Sequence, residues 1–391
     1  MFNESVAQRM SRMHGEAAFV VLARANQLEA EGKHIIHMEI GQPDFNTPAN
    51  IVDAGCAALK AGYTGYTPTC GYPELRQVIA DYAKRHKGVD ASADGVVVVP
   101  GGKPVMFYTI NMLVNPGDEV IYPNPSYPIY ESCIKMAQGV PVPMPLTKDN
   151  NFRIDIEGFK KLVTPKTKLV ILNNPSNPTG GVFEKEDILA IADVLRDRPD
   201  IFIMSDEIYD RLVFEGKVVS IAALPEFKDR TIILDGFSKT YAMTGWRLGY
   251  GIMNPELAKH MDMFMVNTNS CAAAFTQRAA IEALTGPQDA VDEMRQAFKE
   301  RRDWLVKALN EIPGIQCCMP GGAFYAFPDI SSFGLSSEEF ASRLLEEGGV
   351  ASSAGTAFGK YGEGYIRLSY ANSLDNIKIA VDRIANFVKT L

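Results

Sequence analysis

Short apolar runs alternate with longer amphipathic stretches through the middle of the chain. Val96–Val99, Glu119–Tyr122, Leu169–Leu172, Ile201–Met204 and Thr231–Leu234 are rich in β-branched residues, and they predict buried strands. Between them Val105–Leu113, Ile129–Ala137 and Lys185–Arg196 carry helical spacing. Strand alternating with helix predicts an α/β unit with a mostly parallel sheet covered on both faces. After about Gly286 the pattern changes. A long charged helix from Gln288 to about Leu309 leads to two predicted strands, Ile315–Cys318 and Ala323–Phe327, separated by a hairpin-like Pro320-Gly321-Gly322 turn. A helix from Ser336, a strand at Tyr365–Ser369 and a terminal helix from Leu374 complete the chain. The expected division is a large domain over 48–285 and a smaller α+β domain made of 1–47 and 286–391.

Composition narrows the function classes. The 391 residues are 46% hydrophobic and 22% charged, as in ordinary globular chains. Lys plus Arg number 39 against 47 Asp plus Glu, and the net charge of -8 with no basic block argues against a nucleic-acid partner. Six cysteines, among them Cys317–Cys318, form no C-x-x-C pair and read as free thiols in a reducing compartment, the last two as buried side chains on a strand. Residues 1–13 hold no continuous apolar run of the secretory kind, and Ala17–Ala25 is too short to span a bilayer. A cytoplasmic protein with no membrane partner is the expectation. His14, His34, His37, His86 and His260 offer no pair at metal-ligand spacing, so no metal site is expected.

In an open parallel sheet, ligands bind beyond the carboxyl ends of the strands. Three segments follow predicted strands at that edge. Gly101-Gly102-Lys103 precedes a helix, where glycines admit a ligand to the backbone and free N–H groups attract an anion such as phosphate. Asn173-Asn174-Pro175-Ser176-Asn177-Pro178-Thr179-Gly180 predicts a stiff, non-helical loop that presents Asn177. Ser205-Asp206-Glu207-Ile208-Tyr209 places an acid at a strand end, either as a helix N-cap or as a carboxylate awaiting a cation.

The fourth segment runs from Asp235 to Gly249, with Lys239 among small, polar and aromatic residues. Gly236, two residues, Lys239, then Arg247 eight positions on and Gly249 two beyond it resemble the lysine motif of class I and II pyridoxal-phosphate aminotransferases. The likeness extends in the same order from Ile40-Gly41-Gln42-Pro43-Asp44-Phe45 to Ile366-Arg367-Leu368-Ser369. It implies that family's fold: a large domain with a seven-stranded mixed sheet, a small domain, and a homodimer with shared active sites. It also implies pyridoxal 5'-phosphate held by Lys239 as a Schiff base, with the same amine moving the proton between substrate and cofactor.

The remaining roles follow from the resemblance, position by position. Asp206 pairs with the ring nitrogen; Asn177 and Tyr209 reach the phenolic oxygen; Tyr127 lies against the ring face. Gly101, Gly102, Lys103, Ser238 and Arg247 hold the phosphate, helped by Tyr66 of the neighbouring subunit. Gly236 stands where many relatives have a serine touching the phosphate, which leaves one contact fewer. Arg367 grips the substrate α-carboxylate with help from the backbone of Gly41, and Asn177 lies beside it. The substrates implied are an L-α-amino acid and a 2-oxo acid of the 2-oxoglutarate or pyruvate type.

Donor choice is less clearly written. No arginine lies between Arg247 and Arg278, where one branch of the family carries the arginine for a distal carboxylate. Ala17-Ala18-Phe19-Val20-Val21 is apolar, which suggests a mouth tolerant of neutral or aromatic side chains, with aspartate still open. A lyase or cyclase of the same fold, eliminating a β- or γ-substituent, shares every residue named above. A non-catalytic regulator is disfavoured because nothing basic or helix-turn-helix-like precedes Met38.

Overall fold

The structure is a computed structural model that describes residues 6–13 and 15–391. Residues 1–5 of the expected small domain, and His14, lie outside the described residues. Among those described, the strands are β1 (Ile36–His37), β2 (Val96–Val99), β3 (Glu119–Asn124), β4 (Val140–Pro145), β5 (Thr167–Asn173), β6 (Phe202–Asp206), β7 (Thr231–Gly236), β8 (Gly249–Ile252), β9 (Tyr325–Ala326), β10 (Val350–Ala351), β11 (Ser353–Ala354) and β12 (Ile366–Ser369).

Strands β2 to β8 build one seven-stranded sheet in the order β2-β8-β7-β6-β5-β3-β4. The pairs from β4 through β7 are parallel, and β8 is antiparallel to both β7 and β2. Two reversals restore the direction, so β2 runs the same way as β7. The carboxyl ends of β2, β3, β5, β6 and β7 therefore share one edge with the start of β8. Their apolar runs are buried from both sides, which is why the four valines of β2 are all fully covered. The expected helices form at Lys103–Leu113, Ile129–Met136 and Lys185–Leu195.

Strand β4 escapes sequence patterning because it reads Val-Pro-Val-Pro-Met-Pro. It pairs only with β3, at the edge of the sheet. Prolines at every second position put each missing N–H on one side of the strand, and the other side remains free to bond β3. The open side then offers few donors to a stray strand.

A second region gathers around helices Asp289–Asn310, Ser337–Glu346 and Leu374–Val388. Strands β11, β12 and β9 form an antiparallel sheet, and β1 pairs in parallel with β10, which brings residues 36–37 to this region. Phe298, Phe324, Phe340, Ile377 and Ile384 are fully covered here. Each such side chain contributes up to about 1.5–3 kcal/mol of apolar burial.

Three expectations need correction. Ile315–Cys318 is not a strand: Asn310 at the helix end accepts from the Cys317 N–H at 2.8 Å and donates to its carbonyl at 3.0 Å, so both ladder groups are already taken. Only an isolated bridge, Gln316 to Asp329, remains there. Cys317 is buried and Cys318 only partly so, both as free thiols off any strand. Ala323–Phe327 contracts to β9 because Ala323 takes a left-handed φ of 59° and donates to Leu212 instead. The Pro320-Gly321-Gly322 turn joins no hairpin; the amides of Gly321 and Gly322 donate to the Gly180 carbonyl of the Asn-rich loop.

Candidate active site

At the shared strand edge a cavity of about 570 Å³ opens between the large sheet and the second region. It receives side chains from segments far apart in sequence, each delivered by the end of an element. Asp206 closes β6, and Tyr209 follows one turn later. The helix N-cap expected as the alternative for Asp206 is absent, since a turn follows and its Oδ1 accepts only from Ile208 N at 3.3 Å. Lys239 lies in the turn after β7, and Arg247 two residues before β8. Asn177 comes from the loop after β5, where its amide donates to the Asn173 side chain at 2.9 Å. Tyr127 and Ser238 also line the cavity.

The anion end is built by close backbone approach. Gly102 is the N-cap of helix Lys103–Leu113, which leaves the first-turn N–H groups facing the cavity. Gly101 takes φ +84°, and a Cβ there would stand 2.1 Å from Nη2 of Arg247. A Cβ on Gly249 would come within 2.8 Å of the same turn. Arg247 itself takes a left-handed φ of 54° and donates to Thr244 O at 2.8 Å, which aims the guanidinium at the Gly101 turn. Two glycines and a cation thus form a close-walled cradle with donors suited to an anion.

Asp206 is buried, and its Oδ2 accepts a 2.5 Å hydrogen bond from Tyr130. Burial pushes its carboxyl up to about 6, against the opposing pull of Tyr130. A carboxylate so placed gains from a cation at its free side. Lys239 donates to the Gly41 carbonyl. Burial first, then Arg367 and Arg247, lower its ammonium to about 8, so neutral amine is accessible near physiological pH. Arg367, on β12, donates to Asn177 Oδ1 at 3.0 Å and to the Glu39 carbonyl, while its Nε has no partner among the described residues. Its guanidinium lies over the rings of Tyr325 and Phe358 at 4.6 and 4.7 Å. A buried guanidinium edge without a partner, the cradle and the uncompensated Asp206 together fit a phosphorylated, cationic heteroaromatic ring with a carboxylate-bearing substrate beside it.

Gly41, Gly102 and Lys103 line the same cavity. Gly101 lies behind it against Arg247. Tyr66 is not brought in: it is 90% exposed on this single chain. Three residues escaped sequence reasoning. Tyr130 sits one helical turn after Tyr127; Tyr325 bonds the Tyr209 hydroxyl at 2.8 Å; Glu16 accepts from Tyr127 at 2.7 Å and from Lys103. The spacing of Tyr127 and Tyr130 was the only local signal. Among the described residues no group of three or more His, Cys, Asp or Glu forms a candidate metal site, and no helix is long and apolar enough to cross a membrane.

Residues 33–384 match the family described as "Aminotransferase class I and II". An aspartate aminotransferase of Bacillus sp. (strain YM-2) is 40% identical over 99% of this chain and 100% of its own length. The structure of the Thermus thermophilus aspartate aminotransferase with maleate superposes with TM-score 0.94 at 34% identity, covering 98% of this chain and 99% of that one. An alanine aminotransferase from Pyrococcus furiosus superposes with TM-score 0.93 at 35% identity, covering 99% and 100%. The chain belongs to the class I and II aminotransferases, with the fold type I architecture that the sheet displays. It is a pyridoxal-phosphate-dependent enzyme that transfers amino groups, and elimination is not the favoured reaction.

Proposed function

We propose that the enzyme moves an amino group from an acidic amino acid of the aspartate type to a 2-oxo acid such as 2-oxoglutarate, with the following roles for its residues. Bound, pyridoxal phosphate supplies the electron sink for charge that develops when the substrate Cα loses its proton. Lys239 holds the cofactor covalently and then carries the Cα proton; its lowered pKa supports a base that is available near neutrality. Asp206 faces the ring nitrogen and keeps it protonated, while Tyr130 fixes the carboxylate orientation. Asn177 and Tyr209 bond the ring oxygen, and Tyr127 covers the ring face. Arg247, Ser238 and the Gly101-Gly102-Lys103 turn hold the phosphate. Arg367 takes the substrate α-carboxylate in a bidentate grip beside Asn177 and the Gly41 backbone.

The acidic donor rests on one observation: besides Lys239, Arg247 and Arg367, the cavity is lined by Lys103, whose ammonium pairs with Glu16. Its relatives' names point the same way. Phe19 gives the mouth an apolar wall, as its sequence suggested, but Glu16 and Lys103 bring charge to the same place. A donor carboxylate has to displace Glu16 from Lys103. A turnover screen over amino donors with 2-oxoglutarate tests this, run on the parent and on Lys103→Ala. Aspartate should lead in the parent, and the variant should raise its KM about tenfold or more while alanine and phenylalanine change little. Faster turnover of a neutral donor, with no selective effect of the variant, would sink the assignment.

We further propose a homodimer in which Tyr66 completes the phosphate site of the partner, a use that its 90% exposure on one chain supports. The domain division at 48–285 against 1–47 and 286–391, and a cytoplasmic location suited to six free thiols, belong to the same proposal.

A further inference from the structure

Lys84-Arg85-His86-Lys87 is a short basic run, and three of its members are exposed. Lys87 is not: its side chain is 3% exposed. It ends a π-helical turn, Ala83–Lys87, that widens the last turn of helix Pro73–Tyr82 and stops at Gly88 with φ 69°. Such widened turns recur at functional sites. This one turns the fourth basic side chain inward, behind the sheet edge that carries the cavity.

There the ammonium meets three carboxylates and has one N–H for each. Glu207 Oε2 and Asp235 Oδ2 lie at 3.0 Å, and Asp210 Oδ2 is closer still. Two partners are adjacent in sequence to a residue of the cavity, and the third is on the strand that leads to one. Glu207 follows Asp206 just past the end of β6 and shares the side of Ser205, which donates to it, opposite Asp206. Asp210 follows Tyr209. Asp235 lies on β7 four residues before Lys239. The acids are braced in turn: Ser205 and Ser220 donate to Glu207 at 2.8 and 2.6 Å, and Tyr250 donates to Asp235 at 3.0 Å. Tyr82, Tyr241 and Arg211 close the remaining sides.

We propose that Lys87 is a positioning residue for amino transfer: from behind the sheet it pins the three segments that present Asp206, Tyr209 and Lys239 to the cavity. The proposal rests on the cofactor roles given to those three residues above. Lys87 and Arg211 together face three acids, which leaves one negative charge in surplus, and burial raises Asp235 to about 7 against the pull of Lys87. The cluster therefore sets the charge behind Asp206 as well as its place.

The test compares the loaded parent enzyme with Lys87→Met and with Lys87→Met/Asp210→Asn, which keeps the net charge of the cluster while removing the tripod. Folding is checked by circular dichroism, kcat and KM are measured separately, and the pH midpoint of the visible absorbance of bound cofactor is titrated. Both variants should lose kcat about 10- to 100-fold with KM within about threefold, the mark of misplaced reacting groups. The absorbance midpoint should rise by about half a unit or more in Lys87→Met, because a cation has left. Folded variants with kcat within about twofold and an unmoved midpoint overturn the proposal, as does unfolding of both, which makes Lys87 a purely structural cation. If the parent shows no visible band and borohydride fixes no cofactor to Lys239, the site assignment itself falls, and this proposal with it.

Discussion

The two sides of one strand edge handle buried charge in opposite ways. Behind the sheet, Lys87 gives each of its three N–H groups to a carboxylate. On the cavity side, Asp206 is buried with a phenol and a backbone amide but no ion-paired cation, and the Arg367 Nε has no partner among the described residues. The difference lies in charge rather than in hydrogen-bond count, since Asp210 Oδ1 and Arg211 Nη1 behind the sheet also lack partners among the described residues. Paired charge contributes rigidity, and unpaired charge stores binding capacity for a ligand. The two sides part at the end of β6, where Asp206 bonds Tyr130 in front and Glu207, the next residue, joins Ser205 and Lys87 behind. In the proposed roles, the rear cluster is the frame and the front is the part that receives the cofactor.

The sharpest way to break this contrast is Asp206→Asn. An amide of the same shape cannot balance a ring cation, so kcat should fall about 10³-fold. Because the lone buried carboxylate opposes folding, the thermal midpoint of the cofactor-free protein should stay level or rise. Loss of both activity and cofactor-free stability would show that Asp206 belongs to the frame rather than to the front. A smaller effect concerns Lys239. Only the neutral amine condenses with an aldehyde, and its ammonium is lowered to about 8. The rate of cofactor uptake by cofactor-free protein, followed by visible absorbance, should climb about tenfold per unit below that pH and flatten about one unit above it. A rate still climbing near pH 10 would mean an ordinary solvated lysine.

The front was more legible in sequence than the frame. Fully apolar runs such as Val96–Val99 and Leu169–Leu172 announce their strands, and a parallel sheet needs such runs because both faces are covered. The lysine motif, Asp206 and Asn177 stand directly after those strands, so pattern and position agree. Strand β4 was hidden by its prolines, and β8 by the glycines that let it approach the Gly101 turn. Lys87 was hidden because a basic run favours water, and only the π turn takes its last member inside. Tyr325 and Glu16 act across long sequence separations, where no local spacing announces them, and Tyr130 had only its spacing from Tyr127. The strand at Ile315–Cys318 failed for a related reason, since a single side chain, Asn310, captured the backbone groups that a neighbouring strand needs.

The smallest effect separates the anion cradle from both charge systems. Gly101→Ala adds one methyl group and no charge. At φ +84° an L side chain costs about 1–2 kcal/mol, and its Cβ would stand 2.1 Å from the Arg247 guanidinium. The arginine tip is flexible, so it swings aside rather than disrupting the sheet. That takes a donor away from the phosphate while Asp206, Lys239 and Lys87 keep their places. The cofactor should bind about 5- to 30-fold more weakly in equilibrium dialysis, with kcat at saturating cofactor nearly unchanged. An unaltered dissociation constant would remove the Gly101 turn and Arg247 from the phosphate site, and a large fall in kcat would tie the cradle to the charge systems on either side of β6.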